Sequence, residues 1–545
     1  MKMNKAAKRP GSEVQAALFF PADRRHHGLL LIMLSLILVA GLSLTACQQT
    51  EKLEPTTQAS DEAPLKVRIM RRESVFQPIN INPETRTRVQ AATGIDLQIE
   101  AVPSSNYPSK LKLSLASENL PDIIEMSYPE MLQSVSTGRL APLNDLIAEH
   151  APHFSQLLED RPELKSLMVQ DDYYAFPMIV WKSLPTAAVP ILRADILAAL
   201  NLGDRQDLSR PKTYDELLEL LIQIKAAHPN QDLWINRSGT RNLISNISYP
   251  LGSGFSQSTS FYFEPRSGNG EFLYGPAHSS FKEVLVFLNK AYESGVLDPY
   301  YALTTVDEWQ QKLSTGQALF FFDLPINLEN FNVPLRKLNA AYAFAPLLNI
   351  KNTAGEARIS LQYDTHWLHT YYAISSKSKN IEAAIRLLDW LYSEEGASVA
   401  NYGTLGTDYT LEDGRAIIQP EHFMRYKEEP FSFRLMQYER GTGQGFFTPY
   451  LDQTFQFQIQ PQLEDVMDQI VQSGMGQPSP LPPPLTMKET IRVSELIKRL
   501  DAILFETIDA YIIGEISTDQ FESNLMRQLQ EAGAGELEAI LNHER

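Results

Sequence analysis

Residues 28–44 carry no charge and consist almost entirely of Leu, Ile, Val, Ala, Met, Gly and Ser. A basic cluster, Arg24 and Arg25 with His26 and His27, precedes them, and Leu44-Thr45-Ala46-Cys47 follows. A basic start, a short apolar run and small residues at a cut site describe a secretory signal. The run sits at the short limit for crossing a bilayer, which takes about 17–25 apolar residues, so an uncleaved anchor is the competing reading. Cys47 is the only cysteine among 545 residues. Exported chains often rely on disulfides, but one thiol has no partner within its own chain. The exported body must therefore be held by core burial alone, and its length is ample for two or more domains.

Residues 48–64 are polar, rich in Thr, Glu, Gln and Pro, and lack periodicity, as a flexible tether does. Leu65-Lys66-Val67-Arg68-Ile69 then alternates apolar and polar, and residues 95–102 alternate again after Thr93-Gly94. This spacing predicts two strands with a helix between them. A further helix is expected at 109–117 and a short buried strand at 120–126. Strands alternating with helices imply an α/β sheet. Beyond Pro211, Thr213 and Glu216 are spaced as a capping box for a helix whose stripe is Leu217, Leu220, Leu221 and Ile224. Ile381, Ala384, Ile385, Leu388 and Leu391 repeat at helical spacing, with Glu382 and Arg386 four apart as an ion pair. Ser517-Thr518-Asp519-Gln520 is a second expected capping box. Residues 478–484 read as a proline-rich surface loop, and Gly441-Thr442-Gly443-Gln444-Gly445 as a loop without a preceding strand.

The formal charge is −18, and the first 46 residues hold six Lys or Arg against two acids, which leaves −22 for the remainder. Nucleic-acid and other polyanion binders concentrate Lys and Arg on their surfaces. The balance argues against such partners without excluding a locally basic cleft. No Gly-x-Ser-x-Gly, His-Glu-x-x-His or Gly-Lys-Ser/Thr sequence occurs, and the ten histidines show no metal-ligand spacing. No catalytic residue and no cofactor is therefore assigned. Asn236-Arg237-Ser238 and Asn246-Ile247-Ser248 fit a glycosylation sequon, to which no weight is given.

Leu44-Thr45-Ala46-Cys47 resembles the bacterial lipoprotein signal. That resemblance implies cleavage before Cys47, a diacylglycerol on its thiol and a protein anchored on the outer face of the cell membrane. Two acyl chains suffice for stable anchoring. Further stretches resemble the extracellular solute-binding proteins of family 1, a group that includes maltose-binding and alginate-binding proteins. They are Leu120-Pro121-Asp122-Ile123-Ile124 with Gly138-Arg139-Leu140-Ala141-Pro142-Leu143, Tyr174-Ala175-Phe176-Pro177, Glu293-Ser294-Gly295-Val296-Leu297-Asp298-Pro299, Ser314-Thr315-Gly316-Gln317-Ala318, Leu388-Asp389-Trp390-Leu391-Tyr392 and Tyr402-Gly403-Thr404-Leu405-Gly406. Their order along nearly the whole mature chain carries the likeness. It implies an α/β, two-lobed, periplasmic-binding-protein-like fold of type II, with 1–46 as signal peptide and 47–64 as lipidated Cys and tether. Lobe 1 is then 65–180 plus 369–403, and lobe 2 is 181–368 plus 404–545. It implies an ABC importer's substrate-binding subunit, a monomer that takes an oligosaccharide and meets the permease's membrane subunits. Alginate-binding relatives carry an acidic calcium loop after the helix matching residues 215–227. Here His228-Pro229-Asn230-Gln231-Asp232 offers two plausible oxygen ligands where calcium takes six to eight, so no metal is expected.

A sugar site joins aromatic platforms to a few oriented polar groups. Residues just after buried strands or at crossings are the candidates. These are Ser127 and Tyr128; Trp181; Tyr249 and Phe255 around Gly252-Ser253-Gly254; Asp323 after Leu319-Phe320-Phe321-Phe322; Tyr363, His366 and Trp367; and Tyr402. Each aromatic has a competing assignment to the core, and Asp323 one as a cap. Trp309 and Trp390, on helical stripes, are read as core. Two other functions remain open on these residues: a secreted carbohydrate-active enzyme, and a binding protein for a peptide or sensor partner.

Overall fold

The β-strands that build the body are β1 (Leu65–Glu73), β2 (Ile95–Pro103), β3 (Ile123–Met126), β4 (Ala175–Lys182), β5 (Val189–Arg193), β6 (Asp232–Trp234), β7 (Ala318–Asp323), β8 (Phe344–Pro346), β9 (Trp367–Ile374) and β10 (Tyr450–Asp452). They are seen in a computed structural model that describes residues 64–543 except 75–76, 118–119, 170, 183–187, 201–209, 269, 361–366, 478–479, 481 and 484. The expected loop at 478–484 therefore lies partly outside the described residues, as does everything before Pro64.

Two sheets form. The first runs β10-β4-β9-β3-β1-β2 and the second β8-β5-β7-β6. In the first, β1 is parallel to β2 and β3, and β10 to β4, while β9 runs antiparallel to both β3 and β4. In the second, β6 is parallel to β7, and β5 is antiparallel to β7 and β8. Strand composition follows position. Every residue of β3 and of β7 is buried, as both are interior strands covered by helices on each face.

The helices used below are α1 (Glu84–Thr93), α2 (Tyr107–Ala116), α3 (Tyr128–Ser136), α4 (Tyr214–Ala227), α5 (Leu328–Leu338), α6 (Ile381–Tyr392), α7 (Ser432–Arg440), α8 (Met487–Ile512) and α9 (Ala534–Leu541). The α4 stripe is buried as its spacing predicts, and Glu382 meets Arg386 at 3.1 Å on α6. Capping differs in detail. Thr213 Oγ1 accepts the Glu216 N–H at 3.2 Å, but the Glu216 carboxylate accepts from Lys212 N–H at 2.7 Å, one residue earlier than a capping box requires. Ser517 accepts from Asp519 N–H at 3.3 Å and opens a 3-10 turn rather than an α-helix. The stripe behind it, Phe521, Leu525 and Leu529, is fully buried all the same.

Two expectations need correction. Trp309 is core, but Trp390 is only partly buried, and its indole N–H points to Glu395 at 3.4 Å. The stretch after 404 does not stay in the second lobe. Phe446 and Phe447 join the core of the first sheet, and β10 pairs with β4. Two contacts pull the chain back. The buried Arg71 guanidinium donates to the Phe446 carbonyl, and Asn401 bridges the Tyr450 carbonyl (2.7 Å) and the Asp452 N–H (3.0 Å). Both span long sequence separations, so no local pattern announces them.

The C-terminal helix α9 is held by an ion pair that depends on pH. Glu538 accepts from Tyr274 N–H at 2.9 Å and meets His278 Nε2 at 2.7 Å. The hydrogen bond to Glu538 raises the imidazole pKa above its usual value, against the opposing effect of burial. A raised folded-state pKa stabilises fully below the unfolded value of about 6.5 and stops contributing as pH climbs through the folded value. Thermal melts of the wild type and His278→Gln should therefore differ most near pH 5.5 and converge towards pH 9. A difference that grew with pH would refute the pairing.

Candidate functional site

The parallel strands of the first sheet all end on one edge, where β9 begins. That edge carries Tyr128 after β3, Trp181 in the last turn of β4, the start of β9 at Trp367, and Asp452 at the end of β10. In the second sheet β6 and β7 end, and β5 begins, on a common edge, with Val189 opposite Asp323. Only six residues, 183–188, separate the end of β4 from the start of β5. Open α/β sheets bind ligands beyond the carboxyl ends of their strands.

Trp181 is partly buried here. Its ring lies 5.6 Å from that of Tyr450 at 39°, and it packs against a cluster containing Tyr402, Phe433 and Phe455. Tyr128 is also partly buried, with its ring 5.7 Å from Tyr371. Burial pushes its phenol pKa up to about 12, and a hydrogen bond links it to Thr490 of α8, which packs on the second core. Tyr128 thus ties the two cores together.

The structure moves several other candidates away from a ligand. The Ser127 N–H and hydroxyl both donate to Glu130 at 2.7 Å, so it caps α3. Phe255 is core, with Tyr274 and Phe505 rings about 6 Å away and the Arg241 guanidinium over its face. Tyr249 is buried under the Arg358 guanidinium, and its hydroxyl has no hydrogen-bond partner among the described residues. Tyr402 is buried too and donates its hydroxyl to Asp452, which also accepts from the Thr454 N–H and hydroxyl at 2.8 Å each. A stacking platform must keep one face open, and these rings do not. Gly403, next to Tyr402, has φ +97°, and a Cβ there would lie 2.4 Å from Asp408 Oδ2, so the turn requires glycine. Tyr363 and His366 lie outside the described residues, as does the side chain of Trp367, whose backbone opens β9 opposite Ile179.

Asp323 stands at the edge as expected, in a different role. It is 2 % exposed and accepts from Arg237 Nε at 2.7 Å, Arg237 Nη2 at 3.0 Å, Leu324 N–H at 2.7 Å and Asn327 Nδ2 at 3.1 Å. It positions the Arg237 guanidinium, which also lies over Trp309 at 5.0 Å and is partly exposed. Burial opposes the Arg237 charge, but the Asp323 carboxylate more than compensates and its pKa is raised. Arg237 went unassigned in the sequence, although it lies three residues beyond the end of β6. The turn beyond it supplies a further signal, with Ser238 at φ +60° and Gly239 at +80°. Arg434 on α7 lies within electrostatic reach of this pair. Its pKa falls to about 10, because burial and the Arg237 charge outweigh Asp323.

The loop after α4 does not fit a calcium ion. Lys225 Nζ donates to the carbonyls of Pro229 (3.2 Å) and Gln231 (2.9 Å), and Asp232 pairs with Lys312 at 2.9 Å. Ammonium groups stand where oxygen ligands would have to converge. Among the described residues no three His, Cys, Asp or Glu side chains are grouped to hold a metal.

Residues 85–398 match the family of bacterial extracellular solute-binding proteins. The chain belongs to that family. A fructooligosaccharide ABC transporter substrate-binding protein, FusA of Streptococcus pneumoniae, is 24 % identical over 399 residues, covering 70 % of each chain. A polygalacturonan/rhamnogalacturonan-binding protein, YtcQ of Bacillus subtilis, is 20 % identical over 510 residues, covering 91 % of this solute-binding protein and 94 % of its relative. Among solved structures, the alginate-binding protein AlgQ2 in a calcium-free form superposes with a TM-score of 0.73 at 20 % identity, covering 89 % of this chain and 98 % of that one. The fold of this solute-binding protein is the two-lobed, type II α/β fold.

Proposed function

We propose that the chain is the substrate-binding lipoprotein of an ABC importer, which grips an oligosaccharide between its lobes and hands it unaltered to the permease. The observation that carries this reading is Trp181, partly buried on Tyr450 near the end of β4. An indole braced from behind by a second ring offers one flat face to the C–H side of a sugar. Cys47 anchors the protein by lipid on the outer membrane face, and the polar stretch that follows lets the body reach the permease. The lobes exchange chain at 183–188, around 361–369 and between 403 and 450, and hinge closure on ligand is what the permease reads. The protein acts as a monomer without cofactor.

The enzyme alternative needs a carboxylate available for proton transfer. Asp323 and Asp452, the buried acids at this edge, are both saturated by protein donors. The test is a titration with a panel of oligosaccharides followed by intrinsic fluorescence, with product analysis alongside. Saturable binding without turnover is expected, and Trp181→Ala should weaken it at least tenfold, about 1.4 kcal/mol. Unchanged affinity in the variant would remove Trp181 from the site, and cleaved sugar would retire the reading as a whole.

A further inference from the structure

Beyond β6 the second sheet is extended by a short piece of chain. The Trp234 N–H donates to the Val296 carbonyl and the Asp298 N–H to the Trp234 carbonyl, both at 2.9 Å, and Leu297 runs parallel to Trp234. Residues 296–298 therefore leave the sheet on the edge where β6 and β7 end, and the turn at 299–303 stands just past that edge. Two links fasten this turn to the one that carries Arg237. Asn236 Nδ2 donates to the Gly239 carbonyl at 2.9 Å and to the Tyr301 carbonyl at 3.1 Å. The helix that follows, Val306–Ser314, places Trp309 under the Arg237 guanidinium.

Two adjacent tyrosines in the turn are treated in opposite ways. Tyr301 is buried, and its hydroxyl donates to Asp509 at 2.7 Å. Tyr300 is 65 % exposed, and Leu303 in the same turn is 76 % exposed. The backbone beneath Tyr300 is nevertheless pinned at both ends. Its N–H donates to the buried Asp298 at 2.8 Å. Its carbonyl accepts from the Leu303 N–H at 2.8 Å, the Thr304 N–H at 3.0 Å and the Thr304 hydroxyl at 3.1 Å. A ring held in water on a fixed backbone has only two side-chain torsions to order when it meets a partner, so little entropy opposes its use.

On the reading of this edge as an oligosaccharide site, we infer that Tyr300 is an outer stacking platform, which grips the far end of a bound chain and so makes the protein select for ligand length. An exposed phenol ring offers a flat apolar face to the C–H side of a sugar, and its hydroxyl can pair with a sugar hydroxyl. Leu303 widens the apolar surface beside it. The sheet order sets the reach. From β5, which begins directly after the crossing at 183–188, the sequence across the sheet is β7, β6 and then residues 296–298. Three strand spacings amount to about 14 Å. A ligand anchored at the start of β5 meets Tyr300 only when it extends across the whole edge of the second sheet.

The test uses ladders of malto-, fructo-, xylo- and galacturono-oligosaccharides, each from disaccharide to hexasaccharide, titrated by calorimetry into the full-length chain. In the series that binds, wild-type affinity should rise with length. Tyr300→Ala should weaken the longest member about tenfold and the disaccharide less than about twofold, which flattens the ladder. The thermal melt should not move, because the side chain is exposed. Tyr300→Phe should keep most of the length preference, since the ring face is retained. A wild-type ladder that is already flat overturns the platform. So does a ladder unchanged in Tyr300→Ala, or weakened equally at every length. Each of those results leaves the binding-protein reading standing, whereas a wild type that binds no saccharide of any series sinks both.

Discussion

Replacing Arg71 with alanine will destabilise the protein by about 3–5 kcal/mol, because it strands a buried charge. Arg71 is 5 % exposed and its partner Glu125 is 8 % exposed, with 3.1 Å between Nε and Oε2. The guanidinium also donates to the Phe446 carbonyl and lies over the Phe447 ring at 5.6 Å. Tyr107 closes the cluster by donating its hydroxyl to the Glu125 carbonyl. Burial alone would lower the arginine pKa, yet its carboxylate and phenol neighbours raise it. Loss of the side chain removes three kinds of contact at once and frees the segment that brings β10 to the first sheet. Urea denaturation measures the cost directly. The double variant Arg71→Met with Glu125→Leu should be more stable than Arg71→Ala alone, since a matched apolar pair leaves no charge uncompensated. A single variant within 1 kcal/mol of wild type would show that the pair contributes little.

Asp323→Ala is expected to cost a similar amount, about 3–5 kcal/mol, and to cut oligosaccharide affinity sharply. Four donors lose their acceptor, two of them on Arg237, whose own charge is left without its buried counterion. Asp323→Asn keeps the shape and one acceptor oxygen and should cost less, while still exceeding 1 kcal/mol. Thermal melts and ligand titrations on the two variants separate the contributions. Full affinity in Asp323→Ala would mean that neither the carboxylate nor the guanidinium it orients takes part in binding.

Much of the fold was legible because its signals are local. The alternation at 65–69 and 95–102 became β1 and β2, and the stripe from Leu217 to Ile224 became the buried face of α4. Periodicity reports which face of an element is apolar, and a helix or strand has to bury that face somewhere. It does not report how far along the element the cover extends. Trp309 and Trp390 both sit on apolar stripes. Trp309 is covered by Phe321 and Phe331 at 5.7 and 4.9 Å, whereas Trp390, in the last turn of α6, is left partly open.

The ends of the buried strands were legible, and the roles of the side chains that follow them were not. Trp181 stands near the end of β4 and Asp323 at the end of β7, as their place after apolar runs suggests. Whether an aromatic beside a turn is a platform or a filler depends on chain that arrives from far away. Phe255 is covered by Phe505, and Tyr402 by Phe455. Asp323 could be read as a hydrogen-bond acceptor for ligand until Arg237, 86 residues earlier, was seen to occupy both of its oxygens.

By itself, the sequence read as that of an exported chain, left no second cysteine for an intrachain disulfide, and determined that strands and helices alternate into an α/β fold. Each of those properties lies in neighbouring residues or in composition, where short-range chemistry decides. Tertiary structure alone decided which aromatics were enclosed and which carboxylate was already paired with a guanidinium. These are properties of burial and distance, and both are set by contacts between segments tens to hundreds of residues apart.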